Sequence, residues 1–191
     1  MILASASQPR AQLLRAAGYA FEQIPAGIAE EDPSGGIGPA EYVQRLAGAK
    51  ARHVAAQHPE SFVIGADTVA ELDGAIIGKA DSVEHAVRIL LALGGRTHNL
   101  WSGLCVLAPR QPDGSRPARA AADAARVTLR AWDEGRVRQH VARVMPLHCA
   151  GAYALQEGGS AIIERIEGDP TTIVGLPLGL MAALLAEIGY R

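Results

Sequence analysis

Apolar positions along the chain follow two periods, one of about two residues and one of three to four, and they alternate from start to end. Residues 1–4 are a short apolar run closed by Ser5-Ala6-Ser7. Pro9 suits the first turn of a helix, and Leu13, Leu14 and Ala17 form a stripe that stops at Gly18. Residues 21–24 read as a strand, and residues 30–38, with Pro33, Gly35 and Gly36, as a loop. Pro39 begins a second helix, with Tyr42, Leu46, Ala49 and His53 on one face by their spacing. Phe62-Val63-Ile64 is an apolar strand that runs into Gly65-Ala66-Asp67-Thr68. Asp73-Gly74, between Leu72 and Ala75, is a hairpin signal, because both residues accept the positive φ of a tight turn. Residues 82–93 form a helix with Val83, Val87 and Leu90 on one face and Gly94-Gly95 as its stop.

The second half continues the alternation. Residues 98–107 read as a strand and 109–117 as a connection; Val127 and Leu129 alternate in a further strand. A helix over 132–144, a strand over 161–166 and a helix over 178–188 complete the pattern. Strands alternating with helices give an α/β fold, and the hairpin makes its sheet mixed. No repeat or linker divides residues 1–191, so a single domain is expected.

Composition narrows the function classes. Apolar residues make up 49% and charged residues 20%, which is globular chemistry rather than disorder. A formal net charge of −2 gives no electrostatic basis for binding a nucleic-acid polymer. Any anionic ligand must be met by a local group of Lys and Arg. Cys105 and Cys149, the two cysteines, make neither a disulfide framework nor a zinc spacing. The first residues lack the basic region of a signal peptide, and no apolar run approaches the roughly 20 residues that span a bilayer. A cytoplasmic protein without membrane contact is expected; the residues leave a homodimer open.

Candidate chemistry is spread over several short segments. In Ser5-Ala6-Ser7-Gln8-Pro9-Arg10, a helix N-terminus, two hydroxyls and a guanidinium suit a polyphosphate, although a capping serine beside a solvated Arg is the plainer explanation. Val63 to Thr68 is read as an apolar strand delivering Asp67 at its C-terminal end, as a metal ligand or base; the plainer explanation is a turn-capping Asp. Lys79 after Gly78, Lys50 on the second helix, and Glu30 and Glu31 in the loop are each ordinary surface residues when taken singly. Trp101 and Trp132 are read as packing residues rather than base-stacking platforms. The chain carries no dinucleotide fingerprint, Walker A loop, His-Glu-x-x-His or Gly-x-Ser-x-Gly. The residues alone support an α/β enzyme for a phosphorylated ligand.

Leu3-Ala4-Ser5-Ala6-Ser7 with Arg10, Ile64-Gly65-Ala66-Asp67-Thr68, Gly78-Lys79 and Gly95-Arg96-Thr97-His98 occur in that order. Cys149-Ala150-Gly151-Ala152-Tyr153, Ile166-Glu167-Gly168-Asp169 and Ile173-Val174-Gly175-Leu176-Pro177-Leu178 follow. Together they resemble the Maf family, the septum-formation-inhibitor-like proteins. The resemblance implies hydrolysis of nucleoside triphosphates to monophosphate and pyrophosphate, and with it a role in cleansing the nucleotide pool. It also implies an elongated α/β fold, with flanking helices in two lobes around a cleft, similar to inosine triphosphate pyrophosphatases. By motif, Ser7 and Arg10 would hold the triphosphate, and Lys50 and Lys79 would neutralise its charge. Glu30 and Asp67 would serve a divalent cation, Mg²⁺ or Mn²⁺, with Asp67 as proton acceptor, and Gln156 would lie near the base.

Three positions bear on the base. Thr68 and Gln156 resemble the branch acting on dTTP, UTP and modified uridine nucleotides, but that branch has an Arg where this chain has Pro9. Pro146-Leu147-His148-Cys149-Ala150-Gly151 and Glu167-Gly168-Asp169-Pro170 resemble the 7-methyl-GTP branch instead. Ala80 and Glu157 replace a common Pro and a common Gly. Pyrimidine triphosphates are the expected substrates. A 7-methyl-GTP pyrophosphatase, a non-catalytic regulator of septum formation and a general phosphatase are the alternatives.

Overall fold

The computed structural model describes residues 1–29, 36–153, 155 and 158–190. The elements in chain order are β1 (Ile2–Leu3), α1 (Gln8–Ala16), β2 (Glu22–Gln23), α2 (Pro39–Gln57), β3 (Val63–Leu72) and β4 (Ala75–Ile77). They continue with α3 (Val83–Leu93), β5 (Thr97–Leu107), β6 (Ala118–Leu129), α4 (Glu134–Val144), β7 (Ile163–Glu167), α5 (Pro170–Val174) and α6 (Leu178–Glu187). Side-chain caps start four of the helices: Ser7, Ser82, Asp133 and Asp169 each accept a hydrogen bond from a backbone N–H of the first turn. The β3–β4 hairpin turns at Asp73 (φ 53°) and Gly74 (φ 84°), as the sequence predicts.

The seven strands form one mixed sheet in the order β2-β1-β3-β5-β6-β7, with β4 also paired to β3. β1 is parallel to β2 and β3; the other pairings are antiparallel. On one side β3 pairs with β5 continuously, from Val63 against Leu107 to Glu71 against Asn99. On its other side β1 pairs only with Val63 and Ile64, and β4 only with residues 70–72. Between them, among the described residues, no strand pairs with this edge of β3 over residues 65–69.

Helix α2 lies across one face of the sheet. Its approach is so close that a Cβ at Gly65 would stand 2.1 Å from the Ala47 carbonyl oxygen, and one at Gly103 2.4 Å from the Val43 backbone. The opposite face carries two separate apolar groups. Leu3, Leu14, Ile64, Leu104, Met181 and Leu185 pack under α1 and α6. Ala70, Leu90, Leu100, Val127 and Val141 pack under α3 and α4. This division gives physical content to the two expected lobes, because Thr68 and Ser102 form a polar seam between the groups.

Several details differ from the sequence reading. α2 buries Tyr42, Val43, Leu46, Ala47, Ala51 and Val54, whereas His53 is exposed. Its seam is set by small residues that permit close contact, not by the 3–4 stripe ending at His53. Val83 points outward at the start of α3 while Ala86, Val87, Ile89 and Leu90 are buried. β6 starts at Ala118, well before Val127, and α5 is a helix with no counterpart among the expected elements. Among the described residues, no helix is long and apolar enough to cross a membrane.

Candidate active site

Asp67 stands in the middle of β3 and not at its C-terminal end, a correction to the sequence reading that the open edge explains. Asp67 borders a recess from mid-strand, where neither β1 nor β4 pairs with residues 65–69. Alternation along β3 sends Asp67 to the α2 face and Thr68 to the other. The candidate residues therefore straddle the edge of the sheet.

On the α2 face, the Lys50 ammonium donates to Asp67 Oδ1, and both side chains are largely buried. Asp67 as a residue is only 4% exposed. Asp67, Thr68 and Lys79 border the same recess, closed at its sides by Tyr42, Ile76 and Ala150. Lys79 reaches it from the segment after β4 and is exposed.

On the opposite face Arg10 is held by three parts of the fold. Its Nε donates to the Gly175 carbonyl at 2.8 Å, and one terminal nitrogen donates to Ser5 Oγ at 3.1 Å and the Ala66 carbonyl at 2.9 Å. The other terminal nitrogen donates to Thr68 Oγ1 at 3.0 Å. Arg10 is thus not the solvated residue of the plainer explanation. Ser7 does cap α1, accepting from the Arg10 N–H at 3.4 Å. Pro9 occupies the first turn of α1.

The hydroxyls behind Arg10 have a fixed direction. Ser102 Oγ donates its single proton to the Thr172 carbonyl at 2.7 Å. In the 2.8 Å contact between Thr68 Oγ1 and Ser102 Oγ, Thr68 must then be the donor. Protons point one way along the seam, from Arg10 through Thr68 and Ser102 to Thr172.

A second buried pair borders this region. His98 Nε2 lies 2.7 Å from the Tyr153 hydroxyl, with the rings edge-on, and His98 Nδ1 is buried with no hydrogen-bond partner among the described residues. Burial lowers the His98 pKa to about 4, against a smaller opposing pull from Glu71, so the ring is neutral. Burial likewise raises the Tyr153 pKa well above its ordinary value. Trp132 lies under the Arg136 guanidinium at 4.3 Å and edge-on to His140, in keeping with a packing role.

The structure therefore brings Arg10, Lys50, Asp67, Thr68 and Lys79 to this part of β3, with Ser7 capping α1 beside Arg10 and Pro9 in the first turn of α1. Glu30 and Gln156 lie outside the described residues. Ser102, Thr172, Gly175 and the His98–Tyr153 pair had no assigned part; the blocks around His98, Tyr153 and Gly175 were the available signal, and Ser102 had none. Among the described residues, no group of three or more His, Cys, Asp or Glu is gathered to hold a metal ion. A buried carboxylate bordering an open recess nevertheless suits a hard cation that arrives with phosphate oxygens, since Mg²⁺ commonly takes one or two carboxylates plus phosphate.

A family model described as Maf-like protein matches residues 1–188. The dTTP/UTP pyrophosphatase of Pelotomaculum thermopropionicum is 40% identical over 191 residues, covering 100% of this chain and 97% of that protein. The 7-methyl-GTP pyrophosphatase of Syntrophotalea carbinolica is 37% identical over 194 residues, covering 100% and 95%. Among solved structures, the Staphylococcus aureus Ham1 protein is similar with a TM-score of 0.49 and 14% identity over 98% of each chain. A likeness that distant decides nothing further about the fold.

Proposed function

The chain belongs to the Maf family, and from that membership and the site's geometry we propose that it hydrolyses nucleoside triphosphates to monophosphate and pyrophosphate. The observation that carries the reading is the Lys50–Asp67 pair at the open edge of β3, with Lys79 across the recess and Arg10 behind it. A triphosphate carries about four negative charges at neutral pH, and cations held in place where charge develops stabilise it strongly.

In the proposed reaction, water attacks the α-phosphorus and the bond from that phosphorus to the α,β-bridging oxygen breaks. Asp67 orients the water and accepts its proton, with Oδ2 available because Lys50 engages Oδ1. Lys50, Lys79 and Arg10 disperse the charge that passes to pyrophosphate. Asp67 and Glu30, with phosphate oxygens, would hold Mg²⁺ or Mn²⁺, whose chemistry is to neutralise the triphosphate and polarise its oxygens. Ser7 and the start of α1 would contact the phosphates, and Pro9, Thr68 and Gln156 would bear on the base.

The finer reading is a preference for dTTP, UTP and modified pyrimidine nucleotides, serving to clear unwanted nucleotides in the cytoplasm. The name of the Pelotomaculum relative supports it. The name of the Syntrophotalea relative supports 7-methyl-GTP as the second reading. A panel of canonical and modified nucleoside triphosphates, each with Mg²⁺, Mn²⁺ or EDTA and with products identified, tests all of this. Monophosphate plus pyrophosphate, lost in EDTA, is the expected result. Orthophosphate as the first product would make the chain a general phosphatase, and no cleavage with either metal would leave the regulator reading.

A further inference from the structure

The turn after α5 has no role in the chemistry above, yet it touches Arg10. Gly175 ends α5 with φ 100°, and its N–H donates to the Thr171 and Thr172 carbonyls at 3.1 Å. Leu176 N–H returns to the Thr171 carbonyl at 3.0 Å, and its side chain is fully buried with Leu3 and Leu14. The Gly175 carbonyl is therefore aimed rigidly, and what it meets is Arg10 Nε. No side chain can stand at this position without displacing its neighbours. A Cβ there would lie 2.7 Å from Thr68 Oγ1, 2.9 Å from Arg10 Nε and 3.1 Å from an Arg10 terminal nitrogen. One turn earlier, the Thr172 carbonyl takes the proton of Ser102, which fixes Thr68 as the donor to Ser102 and an acceptor from Arg10.

We propose that Gly175 and Ser102 are positioning residues for the reaction, Gly175 acting through Arg10 and Ser102 through Thr68. A guanidinium has five N–H donors, and four of Arg10's are committed to Gly175, Ser5, Ala66 and Thr68. Arg10 thus meets the triphosphate as a charge fixed in place, and the C-terminal turn decides where that charge stands. This rests on the pyrophosphatase reading, because Arg10 needs a triphosphate to face.

A double-mutant cycle tests it, read both as kcat/KM for UTP and as affinity for α,β-methylene-UTP with Mg²⁺. Gly175→Ala is expected to lower both by ~10–100-fold, the scale of an ångström's misplacement. In an Arg10→Ala background it should change them by less than ~2-fold, since residues acting through one contact are not additive. Ser102→Ala should behave the same way against Thr68→Val, and this arm carries the test if Gly175→Ala does not fold. Equal effects in both backgrounds, as a merely structural role gives, overturn the proposal, as does no effect at all. A chain that binds the analogue without cleaving UTP refutes the function while the affinity cycle still decides the positioning. A chain that does neither overturns both.

Discussion

Asp67 and Lys50 form a largely buried ion pair, and Asp67 borders the recess. Asp67→Asn keeps the shape and a hydrogen-bond acceptor for Lys50 but loses the basic carboxylate. It is expected to lower kcat by at least ~100-fold, within the range of general-base loss, while circular dichroism stays native. Full activity in this variant would refute Asp67 as the base. His98 makes a different prediction. Its folded pKa of about 4 lies below the unfolded 6.5, so the unfolded chain binds the extra proton between these values. Its stabilising contribution is complete above pH 6.5 and is lost as pH falls to about 4, by about 3 kcal/mol in all. Urea unfolding of the wild type and His98→Gln at pH 7 and pH 4 should show the gap between them narrowing by that order. A constant gap would mean that His98 is not held neutral. The carboxylate on β3 was legible because an apolar run leads into it. Ser102 was not, since one hydroxyl inside an apolar strand has no periodic mark.

At the scale of elements, the Ile-Gly-Ala-Asp segment has a packing reason for its glycine. α2 rests on Gly65 and Gly103, and in this close packing Lys50 bonds Asp67. Gly65→Ala is expected to destabilise the fold by about 3 kcal/mol through overpacking against the Ala47 backbone, measured by urea unfolding. It should also reduce activity by separating Lys50 from Asp67; unchanged stability would mean that α2 can shift freely. The hairpin was legible from Asp73-Gly74 because turn chemistry is local. The first two-thirds of β6 was not: Ala-rich residues 118–125 carry no strand propensity, and pairing with β5 alone makes them a strand. The buried face of α2 was misplaced for a related reason. Ala and Gly mark close contact with a sheet poorly in a pattern weighted toward large side chains.

For the whole molecule, the decisive feature is that β3 has one continuous neighbour and two short ones set end to end. The alternating pattern gives the α/β class and a mixed sheet, but it holds no information on which strands pair or where an edge stays open. Along β3 the even-numbered residues turn their peptide groups toward β1, as the bond from Ala4 N–H to the Ile64 carbonyl shows, so those of Thr68 face the open edge. Hydrogen exchange is expected to be faster at the Thr68 amide than at Asp67 or Val69, which face β5, and to slow when α,β-methylene-UTP and Mg²⁺ are added. Equal protection of the three without nucleotide would argue against an accessible edge.

The hydrogen bond from Arg10 to Gly175 also sets an order in time. It joins residues 165 positions apart, and at ordinary rates of synthesis the later one follows the earlier by roughly 10–30 s. Lys50, Asp67 and Lys79 all leave the ribosome well before it. A nascent chain can thus carry every proposed catalytic side chain and still lack a placed guanidinium. Competence to cleave a nucleotide arrives with the C-terminal turn, and during refolding it should return no sooner than that turn docks.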